Sequence, residues 1–121
     1  DSSTDEKVME FLPQTSIVIG AAKAGIQILS KRQLSEAKNL LVAADVNAVP
    51  PLGIEGVGIH DMGVELLETP QKAIGLGALA IGDIKYKLHL KLFEMMKNAE
   101  APLFLDHNSA FDVARKIVSK L

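Results

Sequence analysis

Two short, unbroken apolar runs, each ending in turn-forming residues, set the narrowest limit on how this chain folds. Ser16 to Ile19 runs into Gly20-Ala21-Ala22, and Asn39 to Val46 (NLLVAADV) runs into a segment holding Pro50-Pro51. Apolar runs without alternation read as strands buried on both faces, the pattern of parallel sheets sandwiched by helices. The rest of the chain supplies helices. Ile84, Leu88, Leu92 and Met95/Met96 recur at helical spacing behind Asp83 as an N-cap, with Gly82 in the preceding turn. Phe111, Ala114, Ile117 and Val118 share one face of a last helix, capped by Asn108 or Ser109. Ser3 and Glu6 have capping-box spacing for a first helix over residues 4–12, ended by Pro13. Short helices or turns are expected at 24–29, 35–38 and 65–72, a brief third strand at 72–76, and a last extended piece at 103–105. Strand, small-residue turn, helix, strand is the grammar of a doubly wound α/β sheet. Two firm parallel strands make a poor domain by themselves. The expected fold is therefore a doubly wound, parallel α/β sheet with flanking helices, its remaining strands coming from a missing portion or from another subunit. An apolar uncovered strand edge also predicts a homo-oligomer.

Composition excludes several classes. With 48% hydrophobic and 23% charged residues, the chain of 121 carries a core and is not disordered, and its length suits a single domain over 1–121. Aromatics are 4% and Trp is absent, which argues against base stacking, and a net charge of −2 gives no footprint for nucleic acid. Absence of Cys removes disulfides, thiolate metal sites and cysteine nucleophiles, and fits a reducing, cytoplasmic setting. No apolar run reaches the ~18–20 residues of a membrane helix. The acidic start, Asp1 to Glu6, is unlike a secretory signal and lacks Met, so the chain is expected to be processed or cut from something larger.

Several motifs carry candidate chemistry. Gly20 to Gly25 has the outer spacing of a P-loop, but Ile26 and Gln27 stand where Lys and Ser/Thr belong, which removes that reading. Gly75 to Ala80 matches G-x-G-x-x-A, yet no second strand ending in an acid follows; a small-residue approach to a helix accounts for it. His60-Asp61 and Asp106-His107 lack metal-ligand spacing, so no metal is expected. Lys85 and His89 lie one helical turn apart on one face. The richest signal is the loop after the second apolar run. Asp45 and Asn47 stand at the carboxyl end of a buried strand, where open α/β sheets bind ligands. Prolines fix the loop's shape and glycines allow close backbone approach. A rigid crossover loop fits the same residues.

Here the sequence resembles a known family. Asp45 to Val57, DVNAVPPLGIEGV, is similar to the D-x-N-A-x-P-P-L-G-I-x-G-[IV] segment of bacterial methylene-tetrahydromethanopterin and methylene-tetrahydrofolate dehydrogenases. Gly77 to His89, GALAIGDIKYKLH, resembles that family's G-A-L-x-I-G-x-[LI]-K-x-K-L-H, and Lys91 to Glu94 its following K-L-F-E. SIVIGAAKAGIQIL is more loosely similar to the strand and helix before these motifs, so the resemblance covers roughly residues 16–120. Asp83 departs from the small residue common in the family.

The resemblance implies a C-terminal, partial dinucleotide-binding domain of an oxidoreductase of one-carbon metabolism, the later half of a Rossmann-like sheet with flanking helices, completed by a missing N-terminal portion or by another subunit. The implied reaction moves a hydride from the methylene group of a tetrahydromethanopterin or tetrahydrofolate derivative to NADP. The cation left behind is delocalised over both pterin nitrogens, so no general base is needed, and positioning with exclusion of water is the protein's task. Gly20, Ala21, Ala22, Asp45 and Asn47 are the expected cofactor residues. Pro50, Pro51, Leu52, Gly53 and His89 are expected on the substrate side. Lys85, by family position, is the polar group hydrogen-bonding the pterin. A lysine base would suit a methenyl-pterin cyclohydrolase, the alternative enzyme, and a non-catalytic binding or oligomerisation module is the alternative class. This chain by itself is expected to bind NADP weakly, because the phosphate-binding glycine turn lies outside it.

Overall fold

A computed structural model describes residues 5–121, so the expected cap Ser3 lies outside the described residues. Helix α1 (Asp5–Phe11) runs into a 3-10 turn (Leu12–Gln14) and then β1 (Ile17–Gly20). There follow α2 (Lys31–Leu34), β2 (Val42–Asp45), β3 (Met62–Glu65), β4 (Ile74–Leu76), α3 (Ala78–Lys97) and α4 (His107–Val118). The chain divides into two compact units, one up to Ala80 and one over Ile81–Leu121.

The first unit is an α/β sheet. Its strand order is β1-β2-β4-β3; the first three run parallel, and β3 lies antiparallel against β4. Register sets the faces. Val18, Ala43 and Gly75 align on one side, towards a core of Leu12, Leu29, Leu34, Leu40, Ile54, Val57 and Leu66. Ile17, Val42 and Ile74 align on the other side, where Ile17 and Ile19 stay 60% and 66% exposed and Met62 is exposed as well. Both apolar runs are strands, but β1 is covered on one face and not on two. The edge strand β3 carries a register shift between Met62 and Val64, with Gly63 at φ 79°. That bulge interrupts alternation, so no strand pattern shows in the sequence there.

Residues 24–29 are not a helix. Gly25 has φ 77°, outside α geometry, and the N–H groups of Ile28 and Leu29 both donate to the Gly53 carbonyl (2.7 and 3.1 Å). Leu29 bridges Ile54 in parallel, so this backbone bonds sideways to the later loop. The expected 35–38 segment is a turn, and the helix before it, α2, begins at Lys31 because Ser30 and Gln33 form a reciprocal capping box, Ser30 N–H donating to Gln33 Oε1 at 2.8 Å. Helix α3 begins at Ala78, four residues before Gly82, and Asp83 is an interior residue paired with Lys87 at 2.6 Å. The reason lies in a remote turn: Gly77 N–H donates to the Asp61 carbonyl and Leu79 N–H to that of Ile59, both at 2.8 Å. Those carbonyls take donors that a side-chain cap would otherwise take. Residues 103–105 form no strand, and the cap of α4 is Asp106, whose carboxylate accepts from Ser109 N–H (2.9 Å).

Gly77 is the tightest backbone position. A Cβ there would overlap the Gly58 carbonyl and the Ile59 backbone, which accounts for the second glycine of the G-x-G-x-x-A string without a nucleotide. Gly77→Ala is expected to destabilise the fold by roughly 1–3 kcal/mol or more, as overpacking does, measured as a lowered denaturation midpoint.

The cap of α4 makes a pH prediction. Ser109 N–H and hydroxyl, both donating to Asp106, hold that carboxyl below its ordinary value. Its contribution is therefore present above the unfolded carboxylate value of about 4 and disappears as pH falls through the lower folded value. Asp106→Asn keeps the cap without the charge. Far-UV circular dichroism should show helix loss on acidification that is smaller in Asp106→Asn than in the parent.

Candidate functional site at the carboxyl edge of the parallel strands

Strand β2 ends at Asp45, which is 2% exposed. A buried carboxylate needs donors, and the loop it opens supplies them. Oδ1 accepts from Asn47 N–H and Oδ2 from Ile54 N–H, each at 2.9 Å. One side chain thus ties the start of the loop to its end. Gly53 sits so close that a Cβ would lie 2.7 Å from Asp45 Oδ1, so only glycine fits beside the carboxylate.

Asn47 extends the lock. Its Oδ1 accepts from Val49 N–H (2.9 Å) and Gly25 N–H (3.3 Å), and its Nδ2 donates to the Pro51 carbonyl (3.0 Å). The loop after β2 is thereby fastened to the turn after β1, where Gly25 lies. Pro50 and Pro51, joined by a cis bond, are exposed, Leu52 is half-buried and Gly53 is buried.

The turn after β1 brings the other expected cofactor residues to the same edge. Gly20 is buried against Ile28, Ile54 and Asp45, while Ala21 is exposed and Ala22 half-buried. Beside them opens a cavity of about 500 Å³, lined by Ala21 and Ala22 together with Lys7, Phe11, Val18 and Ile28. Lys7 has no signal in the sequence. It comes from α1, and only the packing of that helix brings it there. Gly20, Ala21, Ala22, Asp45, Asn47 and Pro50 to Gly53 thus form one contiguous group.

Lys85 and His89 belong to the second unit and are described there. Both are exposed, one turn apart on α3, and Lys85 lies two turns into the helix, since α3 starts early. His89 borders a hollow of about 250 Å³ with Leu92, Phe93, Met96 and Leu105. Among the described residues no three His, Cys, Asp or Glu side chains gather as a metal site. Asp61 is occupied in closing its turn, with Oδ2 accepting from Gly58 N–H (2.7 Å), as Asp106 is in capping α4. No described helix is long and apolar enough to cross a membrane.

A parallel α/β sheet with a locked loop at its carboxyl edge defines a class of ligand-binding fold. Within that class the sequence kinship is with the methylene-tetrahydropterin dehydrogenases. The chain is 38% identical over 117 residues, 97% of its length, to the NAD(P)-dependent methylenetetrahydromethanopterin dehydrogenase of Methylorubrum extorquens. It is 34% identical over 98 residues, 78% of its length, to the bifunctional protein MdtA of the same organism. The chain spans 39% and 33% of the lengths of these two curated relatives. No family model matches it.

Removing the lock should be costly. Asp45→Ala leaves two buried N–H groups without acceptors, at about 1–3 kcal/mol each. Asp45→Asn should recover only part, because its amide NH₂ meets one of the two N–H donors head-on. Urea denaturation of the three proteins is the measurement, and equal midpoints would contradict the role given to Asp45.

Proposed function

We propose that this chain is the C-terminal, nucleotide-sheet portion of a dehydrogenase that transfers a hydride from the methylene group of a tetrahydropterin to NADP, in the cytoplasm. The observation that carries the reading is the coincidence of two features. The DVNAVPPLGIEGV segment, shared in pattern with the family, is the same segment that Asp45 and Asn47 lock at the carboxyl edge of the parallel strands. A similarity to an NAD(P)-dependent enzyme over 97% of the chain supports it. The chain spans 39% of that relative. The remainder of the protein, or another subunit, is proposed to extend the sheet.

The fit of a nicotinamide dinucleotide rests on the turn after β1. Ala21 and Ala22 put only methyl groups on their cavity, which leaves the backbone approachable, and Lys7 adds a cation at the same cavity. A bound nicotinamide supplies the acceptor for the hydride. In this reading Gly20, Ala21 and Ala22 hold the cofactor. Asp45 and Asn47 act through the loop they brace, because the oxygens and amide named above already bond within the protein. Pro50, Pro51, Leu52 and Gly53 present a preshaped apolar wall to the pterin and exclude water. Lys85 and His89 orient the pterin by hydrogen bonding. No residue of the set is asked to abstract a proton, since the amidinium left behind is stable as formed.

Lys85 provides the test, made in the full-length protein. Lys85→Met should lower kcat/KM about 10–1,000-fold, the range of a lost positioning contact, with cofactor affinity nearly unchanged. Lys85→Arg should not restore the rate, because a planar fork replaces a compact ammonium. Steady-state rates within about twofold of the parent in Lys85→Met would remove Lys85 from the site.

A further inference from the structure

The string Gly20 to Gly25 is no P-loop, because Ile26 and Gln27 stand where Lys and Ser/Thr belong and no helix follows it, yet it holds a lysine of its own. Lys23 is exposed and opens the turn that follows Gly20-Ala21-Ala22. Its carbonyl accepts from Ile26 N–H at 3.1 Å, and Gly25, at the third position of that turn, has φ 77°. That value is what a type II turn requires there, and glycine adopts it freely.

The turn is held from outside as well. Gly20 is in register with Asp45 on the neighbouring strand. Gly25 N–H donates to Asn47 Oδ1 at 3.3 Å, and a Cβ on Gly25 would stand 3.6 Å from the Pro50 carbonyl. Lys23 therefore sits on backbone fastened before it to the sheet and after it to the proline loop. When a ligand meets Lys23, only the side chain has to be ordered, not the segment that carries it.

Charge decides what that ligand is. The Lys23 ammonium has no ion pair or hydrogen bond with any described residue. Residues 20–29 contain no acid, and residues 46–57 contain only Glu55. Glu55 is engaged, its Oε2 accepting from Lys31 N–H at 2.9 Å. Asp45 is 2% exposed and gives both oxygens to backbone N–H groups of its own loop. A positive charge is thus left over at the carboxyl edge, in a chain with 15 acids against 13 lysines and arginines. The ligand favoured beside it is an anion. Place narrows the choice further. Lys23 adjoins Ala22, and Ala21 and Ala22 line the largely apolar cavity of about 500 Å³. An anion joined to a body that fills such a cavity is the chemistry of a nucleotide phosphate.

We infer that Lys23 is a phosphate contact of the dinucleotide, its ammonium donating to a phosphate oxygen. The inference rests on the hydride-transfer reading and adds to it a residue that reads the cofactor's charge. A lysine binds phosphate as a compact point charge, without the bidentate geometry an arginine imposes. The bridging pyrophosphate and a ribose 2′-phosphate both offer that chemistry.

The test is calorimetric titration of the full-length protein with NADP and, separately, with NAD. Lys23→Ala should weaken NADP binding about tenfold, the loss of one hydrogen bond to a charged group. Lys23→Arg should stay within about threefold of the parent, since the charge is kept. Affinity of the parent should fall with added salt more steeply than that of Lys23→Ala, because an exposed charge pair is screened. A merely structural lysine would leave the two salt slopes parallel. At saturating cofactor kcat should hold within about twofold, as expected when only cofactor binding is lost. Equal losses with NADP and NAD place the ammonium at the pyrophosphate; a loss with NADP alone places it at the 2′-phosphate. Lys38→Ala is the control, removing the same exposed charge from the segment that leads into the amino end of β2. Unchanged affinity for both cofactors in Lys23→Ala, parallel salt slopes, or the same loss in Lys38→Ala would each overturn the inference and leave the hydride-transfer reading standing. A parent protein that binds neither dinucleotide would overturn both.

Discussion

A single buried carboxylate holds the carboxyl edge of this protein's sheet together. Asp45 closes the loop that follows it by accepting one N–H near its start, from Asn47, and one at its far end, from Ile54, nine residues on. Two prolines restrict that loop locally but do not say where its far end goes. The carboxylate does. It returns Ile54 to the base of β2, where Ile54 is fully buried and its neighbour Gly53 offers a carbonyl to Ile28 and Leu29. Asn47 adds the tie to Gly25 and Pro51. The segments after β1 and β2 are separate in sequence and mechanically one piece. Preorganised surfaces of this kind bind without the entropy of ordering a loop.

How much of this was legible depends on where each hydrogen bond goes. Strands β1 and β2 were readable as unbroken apolar runs between turn residues, although β1 leaves Ile17 and Ile19 exposed, and α4 because its faces differ strongly in polarity. Helix α3 was readable in its middle and not at its start. Its first donors are satisfied by the Asp61 and Ile59 carbonyls, contacts between residues far apart in the chain. A side-chain cap leaves a mark in sequence; a backbone cap from a distant turn leaves none. Residues 24–29 carry apolar positions compatible with a helix, and what decided against it was pairing with Ile54, again a distant partner. Strand β3 was hidden by its bulge and its exposure.

The carboxyl edge of the sheet was legible in the sequence, and the bonding of each polar atom there was not. Asp45 and Asn47 at a strand's carboxyl end were sufficient to mark the edge. That their polar atoms bond within the protein required coordinates, because sequence names an acceptor without naming its donor. Kinship with the dehydrogenases rests on pattern, and the geometry explains why that pattern has the residues it has. The aspartate, asparagine and first glycine of D-x-N-A-x-P-P-L-G-I-x-G are a lock and its clearance, with Gly53 small enough to let Asp45 in.

The bulge in β3 gives the sheet a direction of growth. An irregular rim, with Gly63 at positive φ and the ladder slipped between Met62 and Val64, presents no even row of donors and acceptors to a newcomer. The opposite rim at β1 keeps its register residue by residue from Ile17 to Gly20. A strand added to this sheet would find an even ladder on the β1 side, about 4.8 Å from it. Its carboxyl or amino end would then stand next to Gly20-Ala21-Ala22. A turn that is marginal in a four-stranded sheet becomes, with one added strand, the middle of a wider crevice.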